Sequence, residues 1–368
     1  MFKVCHLTSV HKITDGRIFQ KECVSLAKHG FDVTIIACGE DSFRDINQRV
    51  NRISLHVPVK GRLERAIKRN RAVYNEAIKV DADIYQFHDP ELLPIGLKLK
   101  RRGKKVIFDS HEFYGLQIKG KKYIPSFLRG LLAKIYMKYE AYVCKRLDAV
   151  IQVCTIQGKN YFENRAKRTI FIANTPFYKK RVEINPFKDR NQITHIGSLT
   201  YERGITHLIK AAYLADTKLI IAGNFHSDIY YKELQDLNDF VNVDYRGYVD
   251  SKEIETILNQ CFAGVSTLLH VGQYDKIDTL PTKVYEYMKA GIPVIISDTS
   301  FAKEINEKYK VGVCVDPENI DQIKRAIVYF KLNKNLAEQM GNNGRNAFEK
   351  LFNWEIEEKK LLDLYNSM

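Results

Sequence analysis

The 368-residue chain has a mass of 42.7 kDa, well over the roughly 150 residues of one typical domain, so two domains are expected. Apolar residues make up 45% and charged residues 28% of it, a balance that supports packed cores and excludes a disordered or fibrous chain. Lys and Arg number 58 against 44 Asp and Glu, and the excess is lopsided: residues 1–180 hold 35 basic and 17 acidic side chains, net +18, whereas residues 181–368 hold 23 and 27, net −4. The opening MFKVCHLTSV reaches polar residues too soon for a signal peptide and reads as a first buried strand. No window approaches the roughly 18 uninterrupted apolar residues of a membrane-spanning helix. The seven cysteines (Cys5, Cys23, Cys38, Cys144, Cys154, Cys261, Cys314) are odd in number, form no CxxC pair and mostly sit in apolar runs. They predict reduced core residues in a cytoplasmic protein, without zinc or disulfides.

Short β-rich runs alternate with helical patterns along the whole chain, which predicts parallel sheets covered by helices. Strands are expected at Lys3 to Thr8, Asp32 to Ala37, Ile53 to Val57, Ile84 to Phe87, Lys105 to Asp109, Ala149 to Cys154 and Thr169 to Ile172. A helix over Gly16 to Lys28 puts Ile18, Cys23, Leu26 and Ala27 on one face and closes at Gly30. The stretch from Asn174 to Asn191, with two prolines and a charge cluster, interrupts the pattern and reads as a linker, about 177–189 at its core. Strands resume at Gln192 to Ile196, Lys218 to Ala222, Val241 to Tyr245, Ala263 to Ser266, Pro293 to Ser297 and Gly312 to Val315. Helices are expected at Gly204 to Ala215, Ser251 to Asn259, Pro281 to Ala290 and Ile320 to Leu332, and Trp354 to Met368 reads as a packed terminal helix. The result is an α/β chain of two doubly wound domains, 1–176 and 190–353.

Neither half has a GxGxxG after its first strand, and there is no Walker A loop, which demotes dehydrogenase and ATPase readings. The most informative stretch is DTLPTKVYEYMKAGIPVIISD, Asp278 to Asp298. Pro281 suits a helix start, Gly291 its end and PVIIS a buried strand, so Lys283 and Glu286 lie one turn apart near a helix N-terminus. Lys283 there suits an anionic diphosphate, and Glu286 suits vicinal hydroxyls such as those of a ribose. Taken alone, that spacing more often marks a solvated Lys and Glu pair. The opening of the second half, ITHIGSLTYERGITHLIKAA, changes the balance: strand, Gly197 turn, Arg203, Gly204 and helix offer a second cation beside a second helix start.

Together these motifs resemble the retaining glycosyltransferases of family 4. Pro281 through Ile295 match the pattern P-x-K-x-x-E-Y-M-x-x-G-x-P-V-I without a gap, and Asp278 and Glu286 occupy the family's two acidic places, with seven residues between them. Two positions depart from it: the first acid is usually Glu, and Ser198 stands where the family has Arg. The resemblance implies a GT-B fold, in which two Rossmann-like domains face each other across a cleft, and a metal-independent transfer from a nucleotide diphosphate sugar of the UDP or GDP type. It implies that Glu286 binds the ribose, Asp278 the sugar hydroxyls, and Arg203 and Lys283 the diphosphate, over the Gly197 turn and beside Leu280, Pro281 and Thr282. Chains of this type often end in a helix that crosses back onto the first domain, and Trp354 fits its packing anchor.

In the first half, His88 (IYQFHDP) and His111 (VIFDSHE) end predicted strands, where open α/β sheets place ligands. For a lone histidine, a satisfied core or loop residue is the commoner reading. The resemblance puts the family's active-site histidine at His111, facing the transferred sugar. His88 and Asp89 are assigned to the acceptor side, with Asp15, Gly16 and Arg17 after the first strand, Arg17 as a contact for an anionic acceptor. The basic runs Lys60 to Arg71, Lys98 to Lys105 and Lys119 to Glu140 carry much of the charge excess. The last interleaves Tyr123, Ile124, Phe127, Leu128, Leu131, Leu132 and Ile135 with cations, as suits an anionic membrane surface as well as an ordinary solvated face. No RNA-binding signature appears, so nucleic acid is not an expected partner. The expected activity is retaining transfer to a glycan or lipid-linked glycan at the cytoplasmic membrane face. The alternatives are a GT-B sugar-nucleotide epimerase and a non-catalytic nucleotide-sugar-binding protein.

Overall fold

The computed structural model describes residues 2–39, 49–121, 124–180, 185–272 and 275–368, and the chain divides into two compact units. Unit 1 comprises Met1–Asn174 and Trp354–Met368, and unit 2 comprises Thr175–Asn353. Residues 181–184 and Tyr123, which the sequence reading assigned to the linker and to the basic amphipathic run, lie outside the described residues. The rest of the expected linker packs with unit 2, because Phe187 is 2% exposed within that unit's core. Counted by unit, 35 basic and 21 acidic residues give unit 1 a net +14, and 23 of each leave unit 2 neutral.

Unit 1 is built on seven parallel strands: β1 Lys3–Leu7, β2 Asp32–Cys38, β3 Val50–Leu55, β4 Ile84–Phe87, β5 Lys105–Ser110, β6 Ala149–Gln152 and β7 Thr169–Phe171. Their order is β3-β2-β1-β4-β5-β6-β7, so the winding reverses between β1 and β4. Unit 2 repeats the plan with β8 Gln192–Ile196, β9 Lys218–Ala222, β10 Val243–Tyr245, β11 Cys261–Ser266, β12 Val294–Ser297 and β13 Gly312–Val315, in the order β10-β9-β8-β11-β12-β13. Its reversal lies between β8 and β11. Both faces of this sheet are covered: along β9, Leu219 and Ile221 join one apolar cluster and Ile220 and Ala222 another. Continuous runs of Val, Ile and Leu are what such two-sided burial requires.

The strands and helices read from the sequence are present, with ends shifted by up to three residues, as at Val50–Leu55 where Ile53 to Val57 was expected. The stretch Gly16 to Lys28 differs in kind. Its first part, Gly16–Cys23, is a π-helix that passes into an α-helix at Val24–Lys28. The wider turn brings residues five apart to one side, so Arg17 and Glu22 both point into the interior, 3.1 Å apart. Apolar periodicity carries no sign of this polar contact. The terminal helix Trp354–Asn366 belongs to unit 1, where the Trp354 indole donates to Ser25 Oγ at 3.0 Å and the Tyr365 hydroxyl to Gln86 Oε1 at 2.7 Å.

One buried acid of unit 1 meets its cation only at the limit of ion-pair contact. Glu140, on the helix Ser126–Cys144, is 1% exposed, accepts from the Tyr136 hydroxyl at 3.1 Å and lies 3.9 Å from Arg165. Burial pushes its carboxyl up to about 7. The folded chain then holds a proton that the unfolded chain has already lost, so stability falls as pH rises from about 4.5 through about 7, by about 3 kcal/mol in all. Glu140→Gln should therefore raise the urea midpoint at about pH 8.5 and change it little at about pH 4.5. Equal effects at both pH values would contradict the assignment.

Candidate functional site

In unit 2, polar groups gather where β8 and β11 part, the place where open α/β sheets bind ligands. Gly197 follows β8 with φ +123°, and a Cβ there would come within 3.4 Å of Lys283 Cε and Nζ. Glycine keeps this face of the backbone open. Lys283 lies in the first turn of the helix Thr282–Ala290, which Tyr287 locks in place. The Tyr287 ring fills the space a Cβ on Gly264 would need, at 2.3 Å, and its hydroxyl accepts from the Ile196 N–H at 3.0 Å. Arg203 ends a short turn before Gly204, whose φ of +73° and 2.0 Å clearance to the Thr267 carbonyl exclude any side chain. The helix Ile205–Leu214 starts there.

Lys283 Nζ lies 2.5 Å from His195 Nε2, and among the described residues this imidazole is its one polar partner. Desolvation and the Arg203 charge pull the Lys283 ammonium well below the ordinary lysine range. Desolvation, then Lys283 and Arg203, hold His195 neutral. Two cations brought together with no carboxylate on Lys283 make a site for an anion, and two helix starts beside them add backbone N–H donors. Glu286 is partly exposed and pairs with Lys289 at 3.0 Å, which leaves its carboxylate at the surface of the same helix. Asp278 is partly exposed, Leu280 is buried and donates its N–H to the Tyr285 hydroxyl at 3.3 Å, and Thr282 is exposed. Ser198 lies 3.2 Å from His226 Nε2.

In unit 1 a buried polar network occupies the carboxyl ends of β1, β4 and β5. Arg17 donates to both oxygens of Asp109 at 3.0 Å and to the Ile172 carbonyl at 3.1 Å. Asp109 Oδ2 also lies 2.8 Å from His111 Nε2 and 3.1 Å from His88 Nδ1. The other nitrogen of His88 is 3.0 Å from His6 Nδ1, and the two rings stack with centroids 5.2 Å apart. Burial works against ionising Asp109, yet the Arg17 charge and the histidine bonds hold it well below the usual carboxylate range. Glu22 takes the opposite state: burial and the Asp109 charge raise it well above that range. One guanidinium thus serves one carboxylate, and the second keeps its proton. Burial lowers His88 to about 4, so it is neutral. Asp89, against the cost of burial, is held ionised by His11 at 2.9 Å, the Ser9 N–H at 2.6 Å and the Thr8 hydroxyl at 2.7 Å.

Among the described residues, two groups of side chains have donor atoms near enough to share a metal ion: His6 with Glu22 and His88, and His88 with Asp109 and His111. Arg17 already supplies positive charge to Asp109 in the second group and to Glu22 in the first, so an added cation meets repulsion in both.

Comparison with known proteins places both halves. The model of the family Glycosyltransferase Family 4 matches residues 19–174, and that of Glycosyl transferases group 1 matches residues 177–347. The chain belongs to the GT-B glycosyltransferases. It is 24% identical over 182 residues to an uncharacterized glycosyltransferase of Methanocaldococcus jannaschii, a match that spans 48% of this chain and about half, 45%, of that protein. The fold is that of sucrose-phosphate synthase from Thermosynechococcus elongatus (TM-score 0.78, 18% identity, 100% of this chain and 99% of the other). It is likewise that of Anabaena HepE in complex with UDP and glucose (TM-score 0.74, 14% identity, 100% of both chains).

In this glycosyltransferase the residues named from the sequence fall into two groups. Gly197, Arg203 and Lys283 come together in unit 2, with Thr282 and Glu286 on the helix that carries Lys283 and Pro281 at its N-cap. In unit 1, His111 is partly exposed at the end of β5, and His88 and Asp89 are 1% and 2% exposed. Asp15 caps its helix, accepting from the N–H groups of Arg17 at 2.8 Å and Ile18 at 2.9 Å, and Gly16 is exposed beside it. Arg17 departs from expectation. Its guanidinium is 3% exposed and spent on Asp109, Glu22 and Ile172, because a buried carboxylate holds a cation more firmly than solvent competes for it. Sequence reasoning missed His6, Glu22, Asp109 and His195. A signal existed for Asp109 and His195, which are polar residues inside apolar strand runs, VIFDS and QITHI.

Proposed function

We propose that the chain transfers a sugar from a nucleoside diphosphate sugar of the UDP or GDP type to a hydroxyl of a growing glycan or lipid-linked glycan, with retention at the anomeric carbon, in cell-surface polysaccharide synthesis. The observation that carries this reading is Lys283, a lysine with an imidazole in place of a carboxylate, set beside Arg203 under the open face of Gly197. Such a pair calls for a ligand of about two negative charges, as a diphosphate diester has. The UDP in the Anabaena HepE complex agrees with that chemistry. Glu286 takes the ribose hydroxyls, and Asp278, Leu280, Pro281 and Thr282 line the sugar side. His111 is the unit 1 contact to the transferred sugar, with His88, Asp89, Asp15 and Gly16 on the acceptor side. The bond from C1 to the diphosphate oxygen breaks with its electron pair on that oxygen. The acceptor oxygen bonds C1 on the same face, and its proton passes to the departing phosphate, so neither a carboxylate base nor a metal is required.

The donor class follows from a thermal-shift screen against UDP, GDP and ADP and their common sugars, since a ligand bound only by the folded chain raises its melting temperature by mass action. A rise with one nucleotide and its sugars supports the reading, and no rise with any of them sinks it. Incubating the bound donor alone separates transfer from epimerisation, and EDTA should leave transfer unchanged. The charge of unit 1 accords with docking at the cytoplasmic membrane face. On the helix Ser126–Cys144, Phe127, Leu131 and Ile135 are 81%, 56% and 55% exposed at four-residue spacing, next to exposed Lys134 and Lys138. Such a stripe suits insertion at an anionic lipid surface. Flotation with anionic vesicles should succeed at low salt, fail at high salt and weaken in Phe127→Ser with Leu131→Ser; no flotation at any salt removes this part of the proposal.

A further inference from the structure

We infer that His270 is a positioning residue for Arg203: as an imidazolium shared by Asp275 and Asp298 it pins residues 267–270, the segment against which the Arg203 turn rests, so that donor binding in unit 2 weakens as pH rises and the bridge opens. This rests on the donor-site reading above. His270 Nδ1 lies 2.7 Å from Asp275 Oδ1, and its Nε2 lies 3.1 Å from Asp298 Oδ1. A carboxylate only accepts, so both ring nitrogens carry hydrogen and the ring is charged.

The pinned segment follows β11 directly. Toward the Arg203 turn, the Thr267 carbonyl faces Gly204, and the Leu269 N–H donates to the Glu202 carbonyl at 2.9 Å. Toward β12, the buried Ser297 hydroxyl donates to the Leu268 carbonyl at 2.6 Å. Asp278 and Leu280 come further along the same loop. Asp298 is a fixed anchor: its N–H donates to the Val315 carbonyl at 3.0 Å, and Lys303, on the helix Ser300–Tyr309, meets its other oxygen at 2.8 Å.

Among the described residues, the charges at the bridge are Asp275 on the loop itself, Asp298 after β12 and, through Asp298, Lys303. Cys314, on β13, is pushed up to about 11 by burial and by Asp298, and stays neutral. The Arg203 turn contributes the Glu202 carbonyl. Burial works against charging His270, yet the two carboxylates hold the ring above its ordinary value of about 6.5. The bridge is therefore complete below about 6.5 and is lost as pH rises through the higher value of the folded chain. A neutral ring has one N–H, so it can serve one carboxylate and turns a lone pair on the other. Asp298 keeps Lys303, so its contact with His270 is the one given up, and residues 267–270 lose their charged tie to the end of β12.

Two readings on the full chain test this. Histidine ring signals are followed by NMR against pH, the His270 signal being the one that His270→Gln removes. We expect its midpoint above about 6.5 in the unaltered chain and lower in Asp298→Asn. Calorimetric titration with UDP-glucose, or with GDP-mannose where the screen selects GDP, measures donor affinity from about pH 6 to about pH 8.5, where the esterified diphosphate takes up no proton. Affinity should fall about three- to fivefold over that range through His270, the scale of an ion pair at the surface. His270→Gln can hold one carboxylate but carries no charge. Its affinity at about pH 6 should already be lower by that factor and should meet the unaltered chain's at about pH 8.5. Any other group that titrates acts in both chains, so the difference between the two profiles belongs to His270. A merely structural role would weaken His270→Gln alike at every pH. A His270 midpoint at or below about 6.5, or parallel profiles in the two chains, overturns the inference. Absence of binding by every nucleotide sugar instead overturns the donor-site reading, and the NMR midpoint still decides the bridge.

Discussion

Arg203→Ala should lower the turnover number for sugar transfer by about 100- to 1,000-fold, the usual effect of removing one preorganised donor from a developing negative charge. The turn that carries Arg203 is fixed by Gly204 against the Thr267 carbonyl, so the guanidinium is held ready before the donor arrives. Arg203 itself is only partly buried, and its loss should leave the melting temperature within a few degrees of the unaltered chain. Glu286→Ala should cost transfer mainly through weaker donor binding, since hydroxyl contacts are made in ground state and transition state alike. Kinetics at saturating and limiting donor separate the two effects. Near-normal transfer in both variants would remove the donor site from unit 2.

Arg17→Met should destabilise the chain by about 3–5 kcal/mol near neutral pH, the cost of leaving a buried charge without its partner. Arg17 is the one cation within hydrogen-bond reach of Asp109 among the described residues that keeps its charge at every accessible pH, and it touches both carboxylate oxygens. The direction with pH is fixed by Asp109. Its carboxyl is held below the usual range in the folded chain, so its contribution is complete above about pH 4 and disappears as pH falls through the folded value. The penalty of Arg17→Met should be largest at neutral pH and shrink towards about pH 4, because without the guanidinium burial raises the Asp109 carboxyl, and the folded variant relieves the unpaired charge by taking up a proton before the unfolded chain does. Denaturant titration at about pH 7 and about pH 4 measures both, and a loss under about 1 kcal/mol at neutral pH would contradict the buried pair.

Much of the fold is local enough to read from residue order. Lys3–Leu7, Ile84–Phe87 and Lys218–Ala222 are short apolar runs bounded by polar or turn residues. Thr282–Ala290 has Pro before it and Gly after it, so its ends are written in the chain. The motif assigned to the donor in the proposed function is legible for the same reason: Lys283 and Glu286 share one helix, and their spacing alone places them one turn apart. The π-helix at Gly16–Cys23 is the instructive exception. Its apolar residues predict a helix, but they carry nothing of the buried contact that Arg17 makes with Glu22 and with Asp109, a group the local sequence does not contain.

By itself, then, the sequence determined two parallel α/β halves, an uneven charge between them and a family signature on one helix, because each of these is a property of neighbouring residues or of composition. Tertiary structure alone decided which polar side chains complete each other. Arg17 and Asp109 are 92 residues apart, His6 and His88 are 82 apart, and Lys283 and His195 are 88 apart. Whether such a residue faces solvent or a buried partner depends on which strands the winding order sets side by side. That order places β1 against β4 and β8 against β11, and so turned an expected surface arginine into the centre of a buried network.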